Sequence, residues 1–385
     1  MAEGTWEGEL QAPSAAFFEA FVQRVREVGA EAVVRTAVER LVPAVAWEAA
    51  LPLVPRGLLG LRAAFRLRPH LAEVSFLRAL ATQLHAFAGE ARRRDGLPPW
   101  APAEADFEAV LRLCAPDMVN VGHKGVVACQ LQDLERALGG GLPVLLDLTA
   151  WLAEAEPRDR SWHARVVRRL AAGEGPAPGG DLARAVCDGS HLEALDAVCG
   201  CLRAGEGPER LRDALARAAT ARMVDARPEL EGRTAWLLVY LAAADRMAVA
   251  VPAVWAQAAA LINFFPSEEP EDRMVPRAPA SSADPAQALL DALLDGEAEA
   301  AMAAVPLLEA ARGWEEALAV LAEAASTADP QPGHGAQLLA VAAAADLAPG
   351  LAVETRSSLL AAVAKSLARS PYGSGLGRAV DRLLA

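Results

Sequence analysis

The chain has 385 residues, 53% of them hydrophobic and 5% aromatic, which is enough apolar material for two or three packed units. Its formal net charge of −13 argues against nucleic acid as the main partner, because that affinity rests on basic surface neutralising phosphates. Five cysteines, an odd number in a large chain, read as small buried hydrophobes rather than a disulfide framework.

The opening residues, MAEGTWEGELQ, are acidic and carry neither a basic region nor an apolar core of the secretory type, so the expectation is a cytoplasmic protein. Ala, Leu, Arg and Glu dominate, and β-branched runs are scarce. The resulting fold class is all-α. Lysine is nearly absent beside abundant Arg and Ala, a composition typical of GC-rich bacterial genomes.

Phe17, Phe18, Phe21, Val22, Val25 and Val28 fall on one face of a first helix. Arg56, Arg62, Arg66 and Arg68 follow, and read as a solvated helix face, as do Arg92–Arg93–Arg94 and Arg165, Arg168 and Arg169. Leu71, Val74, Leu77, Leu80, Leu84 and Phe87 mark another amphipathic helix. His70 and His85, within that region, stand too far apart along one helix to share a ligand. Pro- and Gly-rich breaks occur at 92–106, 155–161, 171–181 and 265–285. They divide the chain into an N-terminal helical region (1–104), a middle region (105–270) and a C-terminal region (271–385) behind a connector rich in Pro, Ser and acid.

From Ala235 to Phe265 the only charges are Asp245 and Arg246. Adjacent opposite charges in mid-segment, with Pro252 after them, predict a buried helical hairpin and not a membrane span. An internal repeat is also visible. Residues 182–220 slide onto a stretch beginning at Leu289, aligning Asp188–Gly189 with Asp295–Gly296 and Leu211 with Leu318. The likeness continues from TAWLLVYLAAADRM (234–247) to HGAQLLAVAAAADL (334–347). The predicted architecture is therefore a helical-repeat bundle of internally duplicated four-helix units. In each, Gly of the Asp-Gly pair supplies a positive φ and Asp bonds the next helix's free N–H groups.

GHKGVVACQLQDL (122–134) offers a weaker third copy, so His123, Thr234 and His334 take equivalent places at the start of an apolar helix. A helix start keeps imidazole neutral, fit to act as base or acceptor, or simply to bond a neighbouring carbonyl. Lys124 points about 100° away from His123. It is either a buried amine of catalytic use or a solvated one. Cys187, His191, Cys199 and Cys201 have the wrong spacing for a zinc site, and core packing explains them. His163 opens a basic helix and is expected at the surface. Trp151, Trp162, Trp236 and Trp255 either fill the core or line an aromatic pocket. No phosphate-binding loop, nucleophile elbow or H-E-x-x-H appears.

The His-led helices GHKGVVACQL and GHGAQLLAVA resemble those of the bacterial questin oxidase-like proteins, over roughly residues 105–370. That resemblance implies an all-helical oxidoreductase using oxygen and NADPH on a small hydrophobic molecule, with His123 and His334 in the site. Thr234 replaces the middle motif's histidine, Gln337 replaces the last motif's lysine, and the early Asn-His motif has no counterpart. A chain that departs so far keeps the scaffold at the expense of catalysis. The alternative is a non-catalytic helical-repeat module that mediates protein–protein interaction.

Overall fold

A computed structural model of the protein describes residues 14–44, 56–90, 106–173, 180–226, 231–265, 284–327 and 336–369. Among the described residues there are eighteen α-helices and no strand. None of these helices is long and apolar enough to cross a membrane.

The N-terminal region holds α1 (Ser14–Val28), α2 (Ala30–Leu41), α3 (Arg56–Leu67) and α4 (Glu73–Glu90). The middle region begins with α5 (Phe107–Cys114), α6 (His123–Ala137), α7 (Pro143–Glu154) and α8 (Ser161–Ala172). It continues through α9 (Leu182–Asp188), α10 (His191–Arg203), α11 (Pro208–Val224), α12 (Glu231–Met247) and α13 (Val254–Phe264). The C-terminal region holds α14 (Pro285–Leu294), α15 (Ala298–Arg312), α16 (Trp314–Ser326), α17 (Ala336–Leu347) and α18 (Val353–Ala368).

Local chemistry sets the ends of these helices. Asp106 accepts the Ala109 N–H at 2.8 Å and starts α5, and proline at the first turn opens α7, α11 and α14. Ser190 and Glu193 form a reciprocal capping box on α10. The Asp-Gly turns work differently from the expectation. Gly189 has an ordinary φ of −74° and Ser190 does the capping, whereas Gly296 has φ +76°. Neither aspartate caps the helix after it.

Four inner helices form a closed ring, α3 against α6, α6 against α12, α12 against α17, and α17 against α3. Their residues are buried nearly all round: Leu58, Leu59 and Leu61 in α3, Val126 to Cys129 in α6, Leu237 to Leu241 in α12, and Leu338 to Ala345 in α17. Alanine and glycine let these helices approach closely, and the remaining helices pack round the ring. α12 and α13 form the buried hairpin expected over 235–265.

The neighbours within α9–α13 and within α14–α18 correspond in all but one pair, the packing of α15 on α16 having no like between α10 and α11. α9 packs on α10, α11 and α13, and α14 on α15, α16 and α18. α10 meets α13 as α15 meets α18, α11 meets α12 as α16 meets α17, and α12 meets α13 as α17 meets α18. The third helices agree as well, α11 with α13 and α16 with α18. The N-terminal region carries a further likeness that sequence reading missed. α3, a single 3-10 turn (Arg68–His70) and α4 follow the same course as α17, its 3-10 turn (Ala348–Gly350) and α18. Pro69, Leu71 and Ala72 stand where Pro349, Leu351 and Ala352 do.

Candidate functional site

One end of the inner ring is built round the start of α6. Asn120, Val121 and Gly122 all have φ between 49° and 77°, an uncommon run and a costly one for β-branched Val121. Only glycine fits at 122, since a Cβ there would lie 2.1 Å from the Tyr240 ring. The Trp236 indole N–H donates to the Val121 carbonyl at 3.3 Å, and the Tyr240 hydroxyl lies 3.3 Å from Met118 Sδ. Burial pushes the Tyr240 phenol well above its usual value.

The turn is held by Asp117. Its Oδ1 accepts the N–H groups of Val119 and Asp159, both at 3.0 Å. Its Oδ2 lies 2.9 Å from Lys124 Nζ, and both side chains are 1% exposed. Lys124 also donates to the Ala155 carbonyl at 2.5 Å, at the C-terminus of α7. This corrects the reading of Lys124 as solvated, and its amine is committed to a carboxylate and a helix end. Lys365, the chain's only other lysine, is also buried and donates to the carbonyls of Met223, Val224 and Ala226 where α11 ends. Each is a cation placed against a helix C-terminus, where the dipole favours it.

His123 is buried at the first position of α6, with its ring stacked on Trp236 at 5.7 Å and 25°. Burial, with Arg56 adding to it, lowers its pKa from 6.5 to about 4, so the imidazole is neutral near neutrality. Thr234 is buried nearby in sequence to Trp236. His334 lies outside the described residues, and the structure does not bear on its pairing with His123. His163 is half-buried, not on the surface, with Nδ1 2.8 Å from Gln257 Oε1.

At the other end of the ring the last turns of all four inner helices surround a cavity of about 460 Å³. Its wall includes Arg62 and Arg66 from α3, Asp133 from α6, Asp245 and Arg246 from α12, and Asp346 from α17. Arg62 reaches Asp133 at 2.7 Å and Asp346 at 2.6 Å, Arg66 meets Asp346 at 2.5 Å, and Arg246 meets Asp133 at 2.6 Å. Asp245 turns away to Arg212, 2.8 Å off. The adjacent charges of 245–246 therefore serve two different partners. Arg62 is 5% exposed, and its Nη1 has no acceptor among the described residues. The expectation of a solvated arginine face fails for Arg62 because two aspartates remote in sequence, Asp133 and Asp346, converge on it at this ring end.

A third feature is an apolar groove of about 740 Å³ between α15 and α18, floored by Met302, Pro306 and Trp314. The Arg356 guanidinium lies 5.2 Å from the Trp314 ring centre.

The remaining candidates are dispersed. His85 lies against Phe17 and Phe18, at 5.0 and 5.4 Å, and His191 meets Trp162 edge-on at 5.2 Å. Burial raises the Cys199 and Cys201 thiols to about 11, as core packing demands. Among the described residues no three His, Cys, Asp or Glu side chains are grouped to hold a metal ion. The tryptophans do not share one pocket: Trp236 serves His123, Trp162 serves α10, and Trp255 is core. Compared with known proteins, the chain matches no family model, no curated protein and no solved structure.

Proposed function

We propose that the protein is a non-catalytic helical scaffold, built on a five-helix unit that occurs twice, which holds another protein against its C-terminal copy. The pairwise correspondence of α9–α13 with α14–α18 supports the duplication, with one helix more per unit than the sequence pattern alone suggests. One observation carries the scaffold reading. The open apolar groove lies outside, on α15 and α18, while the reactive candidates that are described are spent on the fold. Lys124 closes a helix end and His123 lies buried beneath Trp236. A general base needs reach to a substrate proton, and neither residue lines the groove or the ring cavity.

A second reading has its own support. The ring cavity, with its buried arginine short of one acceptor, suits a small molecule carrying an oxygen acceptor and an apolar body against Phe65 and Leu347. Native mass spectrometry of the protein as purified separates the two. The scaffold reading expects the mass of the bare chain. A stoichiometric small molecule, lost when Ala137→Phe fills the exposed mouth of the cavity, would replace it with the second reading.

A further inference from the structure

The two five-helix units differ in what lies on their outer face. In the first, the groove between α10 and α13 is covered by α8, which packs on both. Arg169 of α8 grips Asp196 of α10 through two bonds of 2.5 and 2.6 Å, and Arg203 of α10 donates to the Arg169 carbonyl. His163 of α8 meets Gln257 of α13 at 2.8 Å, and Val166 is buried beneath the helix. As a result α13 is buried on every side from Val254 to Ile262.

The second unit has the like groove, and among the described residues no helix lies over it. Counting from the first residue of each helix, Asp196 and Arg203 on α10 correspond to Ala303 and Ala310 on α15. Gln257 on α13 corresponds to Arg356 on α18. All three counterparts line the 740 Å³ groove. The face of α18 that α13 hides is open: Val353, Glu354 and Ser358 are exposed, and Ser357 and Ala361 are half-exposed. Leu307, on the neighbouring surface of α15, is 53% exposed.

We infer that the α15–α18 groove binds one amphipathic helix of a partner protein, laid as α8 lies on α10 and α13. This rests on the scaffold reading and on the duplication. The occupant's chemistry follows from what replaces the anchors. Where the first unit offers Asp196 to an arginine, the second offers Ala303 beside Met302 and Pro306, so the docked face is more apolar than that of α8. The Arg356 guanidinium, over the Trp314 ring at the groove wall, has no carboxylate acceptor among the described residues. A carboxylate of the incoming helix supplies one there, at the place where His163 meets Gln257. An apolar stripe at i, i+3/i+4 and i+7 with an acid on its border is the helix-in-groove mode of recognition.

The test is a selection from a displayed library of helix-forming peptides of about 14 residues, some four turns, against the full chain. Peptides with an apolar stripe and a bordering Asp or Glu should enrich. They should bind about tenfold or more weakly to Ala310→Trp and to Ser358→Trp, which fill the groove from exposed positions. Arg356→Glu should remove the preference for acid while keeping the stripe. Failure to enrich, or enriched peptides indifferent to both tryptophan variants, would overturn the inference and leave the scaffold reading to the mass measurement above. A wild-type dimer by sedimentation velocity that Ala310→Trp turns into monomer would overturn it differently, assigning the groove to a second copy of this chain.

Discussion

The two ends of the inner ring are made from the same four helices and solve opposite problems. At the end where α6 begins, polar groups are few and enclosed: one lysine, one aspartate, a neutral histidine and a phenol, packed by Trp236 and Gly122. At the other end, charges are many and, the buried Arg62 apart, part-exposed, shared among Arg62, Arg66, Arg246, Asp133 and Asp346. Removing one partner from an enclosed pair strands its fellow in a medium that cannot solvate it. In a shared, part-solvated network the fellow keeps another partner. The ends should therefore respond to mutation and pH by different amounts.

The largest effect expected is from Lys124→Met, which leaves Asp117 buried without its cation, at a cost of about 3–5 kcal/mol in urea unfolding. Adding Asp117→Asn, which keeps an acceptor for Val119 and Asp159, should return most of it. If Lys124→Met costs no more than a surface change, the enclosed pair is not what holds this end.

Acid comes next. His123 is neutral in the folded chain down to about pH 4 but takes up a proton near 6.5 when unfolded. Its contribution is present above 6.5 and is lost as pH falls toward 4, amounting to about 3 kcal/mol at most. His123→Phe should flatten the stability–pH curve across that window, leaving the slope from His70, His85 and His191, whose burial acts in the same direction.

Gly122→Ala should cost about 2 kcal/mol, from the positive φ and the Tyr240 ring together. Gly122→Ala beside Tyr240→Leu should recover the ring's share and not the backbone's. Smallest is Asp346→Asn at the wet end, about 1 kcal/mol, because Arg62 retains Asp133. Its effect should shrink in high salt, while that of Lys124→Met should not.

Periodicity made the helices legible, and so did the hairpin of α12 and α13, because a segment with one pair of charges in thirty residues has few other ways to fold. Spacing also placed the cysteines in the core, which holds for Cys114, Cys129, Cys199 and Cys201, while Cys187 is half-buried. The charged ring end was not legible. Arg62 and Asp346 are 284 positions apart, and only the closing of α17 on α3 brings them together. The likeness of α3–α4 to α17–α18 escaped notice for a related reason: it survives in helix lengths and a Pro-x-Leu-Ala junction, while the side chains diverged. His123 was found by its place before an apolar run, but nothing local could say that Trp236, more than a hundred residues on, would cover it.

The two lysines have a use beyond packing. Arginine supplies every other basic side chain, and Lys124 and Lys365 are each 1% exposed, so the native surface presents no lysine amine for acylation. A mild amine-selective ester can modify Lys124 only when the junction of α6 and α7 opens, and Lys365 only when α18 parts from the end of α11. Each residue is thus a built-in clock for one local opening, readable peptide by peptide without introducing a label.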